Sequence, residues 1–247
     1  MSARRPRVVA LSDSLSLPRP GLSWEDTWPS RLHEELRQLG LDAEVINFGR
    51  RRRTVDTLTG PDFEQLVEFV EPDIIVLQVG IVDCSPRVFS RRSRDLLNHR
   101  YFPVRLRDWL VARRSAQRAT IVAKDPLAKV YVPPSAYRRA LEAFAARLEA
   151  LPRVPALVVI PIVVAPEVLE SKSPGHRSNV DLYNRHLQEV SARRGWTWLA
   201  KDALGSVPAP FDADGYHLSA AGNRALASVL AGEIARVGAQ PAVVVWS

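Results

Sequence analysis

Short apolar runs alternate with amphipathic segments along this chain, and this alternation restricts the fold more than any other feature. The runs with the length and composition of buried strands are Arg7–Leu11, Glu44–Phe48, Asp73–Val79, Ala156–Val164 and Trp196–Ala200. Apolar residues recur at helical spacing over Trp28–Leu39, Phe63–Val70, Tyr137–Leu151, Val180–Arg194 and Ser219–Val237. Because strands that alternate with helices form a parallel sheet covered on both faces, the sequence predicts an α/β fold.

The chain is long for one domain and short for two, so we interpret residues 1–247 as a single domain. Residues 84–134 interrupt the alternation and have no regular pattern. This segment holds ten arginines from Arg87 to Arg118 but only two acids over the same stretch, Asp95 and Asp108. We interpret residues 84–134 as an arginine-rich insertion on the active-site side of the sheet, with the character of a lid.

The formal net charge is +7, and it comes from 30 arginines against only 4 lysines. A nucleic-acid surface and a codon preference for arginine would both give this balance, but no nucleic-acid-binding motif accompanies it, so we expect no such partner. The single cysteine, Cys84, excludes an internal disulfide. The most apolar stretch, Val154–Ala165, is too short to span a bilayer, and no signal-peptide pattern is present, so we expect a cytoplasmic protein.

Small polar residues and glycines follow directly on three of the predicted strands: Ser14, Gly49 and Gly80. Ligands of parallel sheets bind beyond the carboxyl ends of the strands, so these three residues should share one edge. A serine on a turn at this edge could act as a nucleophile. The same Ser-Asp-Ser run is also typical of an ordinary turn, and Ser14 alone does not separate the two.

His217 lies three residues after Asp214, immediately before the last predicted helix. At this spacing an aspartate can hold the Nδ1–H of the histidine and leave Nε2 free to face a serine. The other four histidines have no carboxylate at a comparable spacing in a strand-exit loop, and we interpret them as surface or core-edge residues. The pair Asp214 and His217 therefore predicts the base of a serine hydrolase.

Several sequence blocks together resemble the SGNH (GDSL-type) hydrolase family. They are Ser12-Asp13-Ser14-Leu15, Trp28-Pro29-Ser30-Arg31-Leu32, Asn47-Phe48-Gly49, Gly80-Ile81-Val82-Asp83, Tyr183-Asn184 and Asp214-Gly215-Tyr216-His217-Leu218-Ser219. They run in the family's order from about residue 8 to residue 235, each near the end of a predicted element. Each block alone is weak, but the ordered set is specific.

The resemblance implies a three-layer, flavodoxin-like fold with five parallel strands. It also implies that Ser14 is the nucleophile, His217 the base and Asp214 its orienting partner. The oxyanion of the intermediate would be bound by the backbone N–H groups of Ser14 and Gly49. No metal or other cofactor is expected for this chemistry.

One position departs from the family pattern. The block around Gly80 normally carries an asparagine whose side chain donates to the oxyanion, but here Val82 stands at that position. Another residue could replace the missing donor, with Arg87 as our candidate either for that role or for a substrate contact. A slow enzyme and a degenerate site are the alternatives, because one lost donor typically costs about 10²–10³-fold in turnover.

These observations predict a serine esterase. The resemblance implies that it cleaves a small O-acyl group, such as acetyl, from a carbohydrate or another metabolite. An anionic substrate is also compatible with the sequence, because the insertion is strongly basic. Two other functions stay open: an acyltransferase with the same Ser-His-Asp site, and a non-catalytic module that binds an anion or a nucleic acid through the insertion.

Overall fold

In the computed structural model, residues 4–60, 63–200, 204 and 207–238 are described. The chain forms a five-stranded, all-parallel sheet, which confirms the predicted α/β fold. Its strands are β1 (Arg7–Ser12), β2 (Glu44–Asn47), β3 (Ile74–Gln78), β4 (Ala156–Val159) and β5 (Thr197–Trp198). Their spatial order is β2-β1-β3-β4-β5, the order of flavodoxin-like sheets. Strands β4 and β5 are shorter than predicted.

The helices that the structure describes are α1 (Trp28–Gln38), α2 (Ile81–Cys84), α3 (Arg91–Leu97), α4 (Val104–Ala116), α5 (Arg118–Ala123), α6 (Pro134–Glu149), α7 (Pro166–Lys172), α8 (His176–Arg193) and α9 (Ala220–Gly238). A π-helical turn over Glu64–Glu68 replaces part of the regular helix predicted at Phe63–Val70. Helix α8 begins at His176 rather than Val180, directly after Gly175, whose φ is +81°. Within the described ranges, no helix has both the length and the apolar character needed to cross a membrane.

Two helices cover each face of the sheet, and the alternation of strand side chains explains why. Val8 and Ala10 of β1 face the layer that contains α1 and α9, whereas Val9 and Leu11 face α6 and α8. Successive side chains of a strand point to opposite faces, so a strand buried on both faces must be apolar throughout. The three layers leave the carboxyl edge of the sheet open for a site.

Gln78, a polar residue at the end of the central strand β3, is buried and hydrogen-bonded through its carbonyl oxygen. Its side-chain Oε1 accepts hydrogen bonds from Ser12 Oγ at 2.8 Å and from Trp28 Nε1 at 2.9 Å. The amide thus joins the strand that precedes Ser14 to the core face of α1. Gln78 is therefore a structural core residue.

The arginine-rich insertion is helical, and the expectation of an irregular segment is wrong. Helices α3, α4 and α5 lie within residues 84–134. Helix α4 has no buried residue, and its apolar side chains are not gathered on one face, so the sequence carries little helical periodicity there. Helix α5 packs against α7, where Arg118 Nε donates to Ser173 Oγ at 2.6 Å.

Candidate active site

Ser14 begins a short 3₁₀ turn, Ser14–Ser16, directly beyond the carboxyl end of β1. The preceding residue, Asp13, caps this turn because its Oδ1 accepts the N–H of Leu15 at 2.9 Å. The backbone N–H of Asp13 also donates to the carbonyl of Gln78, 3.3 Å away. These contacts fix the backbone of the turn to the sheet and leave the Ser14 hydroxyl at the open edge.

His217 and Asp214 lie beside Ser14 although about 200 residues separate them from it in the chain. His217 Nε2 is 3.5 Å from Ser14 Oγ, and His217 Nδ1 is 2.5 Å from Asp214 Oδ2. The second carboxylate oxygen of Asp214 accepts the backbone N–H groups of Tyr216 at 3.1 Å and His217 at 3.0 Å. The three side chains named from the sequence therefore form one continuous hydrogen-bonding chain.

The loop that carries His217 is held to the nucleophile segment by Arg19. The Nε atom of Arg19 donates to Asp212 Oδ2 at 2.9 Å, and its Nη2 donates to the same oxygen and to the carbonyl of Leu218. Gly215, with φ at +88°, allows the tight turn between these contacts. Arg19 thus connects the segment after Ser14 to the loop that carries His217.

The electrostatics of Asp214 suit its place in this chain. Partial burial raises the pKa of the Asp214 carboxyl, but hydrogen bonds from the His217 ring and from the backbone N–H groups of His217 and Tyr216 outweigh it and leave the pKa below its usual value. Asp214 is therefore ionised at neutral pH. An ionised carboxylate fixes the proton of His217 on Nδ1 and leaves Nε2 as an acceptor.

Gly49, named from the sequence as an oxyanion donor, lies against the nucleophile turn, but its N–H is already in use. It donates to Asn47 Oδ1 at 2.8 Å, and Asn47 also holds the backbone carbonyl of Ser16 through Nδ2 at 2.9 Å. A Cβ at position 49 would lie 2.2 Å from Ser16 Oγ, so only glycine fits. An oxyanion role for Gly49 requires its N–H to leave Asn47 and stays a prediction.

Two carboxyl groups are buried behind the nucleophile turn. Burial raises the pKa of Asp13 and of Asp83 to about 7 in each case. Asp83 Oδ1 accepts the N–H of Val55 at 3.0 Å, and each acid has one oxygen without a partner among the described residues. Asp83 thus braces a neighbouring turn, while Val82 beside it lines the cavity in front of Ser14.

A cavity of about 350 Å³ opens in front of Ser14 and His217. The insertion contributes much of its wall, with Ser85, Arg87, Arg94, Arg118 and Tyr131, and helix α7 and the loop after it contribute Leu169, Lys172 and Ser173. Arg87, named from the sequence, does reach this cavity. Its guanidinium lies 5.1 Å from the centre of the Tyr131 ring, and its Nε is buried without a hydrogen-bond partner among the described residues.

The sequence analysis missed a second serine-histidine contact in the same cavity. His176 is not a surface or core-edge residue: it is only 2% exposed, and its Nε2 lies 3.1 Å from Ser85 Oγ. The two residues are 91 positions apart and belong to no common motif, so no sequence pattern pairs them. Cys84 next to Ser85 is fully buried, and burial raises the pKa of its thiol.

Comparison with known proteins agrees with this architecture. Among solved structures, a lipase/acylhydrolase from Enterococcus faecalis is 16% identical, with 93% of this chain and 95% of that chain aligned at a TM-score of 0.62. A catalytic mutant of an acetylxylan esterase from Geobacillus stearothermophilus is 17% identical over 93% and 94% of the two chains, also at 0.62. At these identities the likeness concerns the fold. The comparison with curated proteins gives no match.

A family model supplies the identity that the distant structures alone do not. The model of the GDSL-like lipase/acylhydrolase family matches residues 13–225. This range starts one residue before Ser14 and extends past His217, so it contains the whole hydrogen-bonding chain described above. The protein belongs to the GDSL-like lipase/acylhydrolase family.

Proposed function

We propose that this acylhydrolase is a serine esterase that works through an acyl-enzyme on Ser14. Ser14 Oγ attacks the ester carbonyl while His217 Nε2 accepts the hydroxyl proton. The same proton then passes to the leaving alkoxide, so that the alcohol departs and Ser14 holds the acyl group. Water attacks this acyl group, His217 takes a proton from the water, and return of that proton to Ser14 releases the acid.

The observation that carries the proposal is the unbroken chain from Ser14 Oγ through His217 to Asp214 Oδ2. The Ser14–His217 separation of 3.5 Å is at the long end of a hydrogen bond, as is common for catalytic contacts before substrate binds. A degenerate binding module has no need of an ionised aspartate on the far side of the imidazole. The geometry therefore supports catalysis over that alternative.

The substrate that suits the site is a small O-acyl group, such as acetyl, on a carbohydrate or another metabolite. A cavity of about 350 Å³ is at the small end of ligand pockets, which favours a compact ester over a long-chain lipid. The structural similarity to an acetylxylan esterase supports the same class of substrate.

An acyltransferase with the same acyl-enzyme is the second candidate, because the insertion forms part of the wall of the cavity. A wall of this kind can exclude water and favour attack by an alcohol. Incubation of the enzyme with an acetyl ester and a polyol acceptor separates the two reactions. Release of acetate alone identifies a hydrolase, and transfer of the acetyl group to the polyol identifies a transferase.

A fluorophosphonate probe tests the proposed nucleophile before any substrate is known. We expect the mass of the adduct to be found on the peptide that contains Ser14. Labelling should be lost in Ser14→Ala and His217→Ala and retained in Ser85→Ala, the matched control in the second serine-histidine pair. An adduct on Ser85, or no adduct on a folded protein, would contradict the proposal.

A further inference from the structure

The cavity in front of Ser14 has an excess of positive charge. Its wall contains the cationic side chains of Arg52, Arg87, Arg94, Arg118 and Lys172. Among the described residues that line it, the only carboxylate is Asp214, and this group is already paired with His217. The charge in the wall is therefore not balanced by the protein groups that share the cavity.

Arg118 is held in place by contacts that leave part of its guanidinium available. Its Nε donates to Ser173 Oγ at 2.6 Å, and its Nη2 donates to the carbonyl of Pro86 at 2.9 Å. Both acceptors are neutral, and in the part of the chain that the structure describes Nη1 has no hydrogen bond and the side chain has no salt bridge. Burial, followed by the charge of Arg87, lowers the pKa of Arg118.

Arg87 is the second half-buried cation of this wall. It stacks on Tyr131, and its side chain has neither a salt bridge nor a hydrogen bond among the described residues. Arginines elsewhere on the molecule find carboxylates: Arg31 pairs with Asp26 at 2.7 Å, and Arg91 with Asp56 at 2.9 Å. Two adjacent half-buried guanidinium groups without a salt bridge to a carboxylate among the described residues are costly unless a ligand supplies the negative charge.

His176 adds a further unpartnered group to the same wall. It is buried, and its Nδ1 has no hydrogen-bond partner among the described residues. Burial first, and then the charges of Arg87 and Arg118, lower the pKa of His176 to about 4, so the ring is neutral at pH 7. The cavity thus combines two cations, Arg87 and Arg118, with a neutral hydrogen-bond acceptor, His176. The cations suit an anionic group of a ligand, and the acceptor suits a hydroxyl group.

We infer that the ester substrate carries an anionic group, a carboxylate or a phosphate, and that Arg87 and Arg118 bind this group inside the cavity. Arginine forms two parallel hydrogen bonds with either anion, so the two sources share one chemistry. The inference rests on the proposed function, because the ester concerned is the one that Ser14 attacks. It also assigns Arg87 to substrate contact rather than to the oxyanion role considered from the sequence.

Two acetyl esters that differ mainly in charge test this assignment: 4-acetoxybenzoate and its neutral amide, 4-acetoxybenzamide. A third ester, 4-acetoxyphenyl phosphate, carries the other anion. We expect kcat/KM for one or both anionic esters to fall about 10- to 100-fold in Arg118→Gln and in Arg87→Gln, the range of a lost charge-assisted hydrogen bond. Activity on the neutral amide should change less than about threefold, because no charged contact is lost there.

Arg105→Gln is the matched control, because this exposed arginine of α4 belongs to the same insertion but does not line the cavity. It should leave all three esters unaffected. Arg118→Lys keeps the charge and loses the planar donors, so a folded variant with partial activity on the anionic esters supports the contact. An equal loss on charged and neutral esters would overturn the inference, since it would mean an oxyanion or purely structural role.

Binding without turnover separates this inference from the proposed function. Calorimetric titration of Ser14→Ala with phenyl phosphate and with benzoate needs no catalysis. We expect binding of at least one anion that is lost in Ser14→Ala/Arg118→Gln. Failure of both anions to bind would overturn the anion site even if Ser14 is labelled, whereas anion binding without labelling of the wild-type enzyme would contradict only the proposed esterase.

Discussion

The cavity holds two serine-histidine pairs, and we propose that only the Ser14–His217 pair transfers a proton to a substrate. Ser85 and His176 are closer, at 3.1 Å, than Ser14 and His217, at 3.5 Å. The Ser85 hydroxyl, however, donates its proton to the carbonyl of Ile81, so His176 Nε2 must donate to Ser85 Oγ. His176 is then already protonated on the nitrogen that a base would need to have free.

The comparison shows that distance does not identify the nucleophile. His217 has an ionised carboxylate on Nδ1, which leaves Nε2 as an acceptor for the Ser14 proton, whereas Nδ1 of His176 has no partner among the described residues. In the proposed mechanism, the direction of each hydrogen bond, set by the group on the far side of the imidazole, determines which serine is activated. Four experiments test whether the two pairs differ in this way.

The largest effect is expected from removal of each serine in turn. Ser14→Ala should lower kcat for an acetyl ester by about 10⁴- to 10⁶-fold, because it removes the hydroxyl that we propose forms the acyl-enzyme. Ser85→Ala removes one hydrogen bond of the wall and should cost less than about tenfold. Steady-state rates with 4-nitrophenyl acetate provide the measurement. Equal losses in the two variants would show that the pairs are not functionally different.

The next effect concerns the carboxylate that distinguishes the pairs. Asp214→Asn should lower kcat about 10³- to 10⁴-fold. The amide stabilises the wrong tautomer of His217, and it cannot stabilise the imidazolium that forms when His217 accepts a proton. Glu170→Gln, at an acid whose charge acts on the pKa of His176, should leave kcat close to that of the wild type. The loss in Asp214→Asn should appear with both charged and neutral esters, and a loss confined to one class would point to substrate binding instead.

The sequence predicted one of these pairs and missed the other for a physical reason. Asp214 and His217 meet through a local turn, and Ser14 follows an apolar strand whose end is fixed by the parallel sheet, so both positions can be read from spacing and periodicity. The Ser85–His176 contact depends on how the insertion packs on α8. The two residues are 91 positions apart and share no local motif, so no sequence pattern predicts that packing.

The same limit applies to Gly49. Its place beside the nucleophile follows from the end of β2, but its hydrogen bond to Asn47, two residues earlier, depends on a side-chain orientation that the sequence does not give. The basic character of the insertion was evident from composition. Which of its arginines face the cavity, and which reach a carboxylate, became apparent only from the fold.

A smaller effect is expected at Val82, which lies in the cavity wall that both pairs share. Val82→Asn introduces an amide donor at the position where the family resemblance implies one, and we expect kcat on the neutral ester to rise about 10- to 100-fold, somewhat less than the cost of removing such a donor. Val82→Ala is the matched control, because it opens the wall without adding a donor. An unchanged kcat in Val82→Asn would show that the oxyanion is already fully bound.

The smallest effect concerns stability rather than turnover. The pKa of His176 is lowered to about 4, below its usual 6.5, so the folded protein binds fewer protons than the unfolded chain between these values. The contribution of the neutral His176 ring to the free energy of unfolding is therefore fully present above pH 6.5, and it is lost as the pH falls toward 4. Between pH 7 and pH 5 this loss corresponds to about 2 kcal/mol in the free energy of unfolding. The His176→Gln variant should not show this pH-dependent loss.

Chemical denaturation of the wild type and of His176→Gln at pH 5, 6 and 7 measures that difference. Asp13 and Asp83 have the opposite trend, because their raised pKa values make the folded state bind more protons, and stability falls as the pH rises toward 7. Both acids are present in the two proteins, so their contribution cancels when the free energies are subtracted. A difference that does not change with pH would mean that His176 titrates normally, and the two imidazoles of the cavity would then be less distinct than their hydrogen bonds indicate.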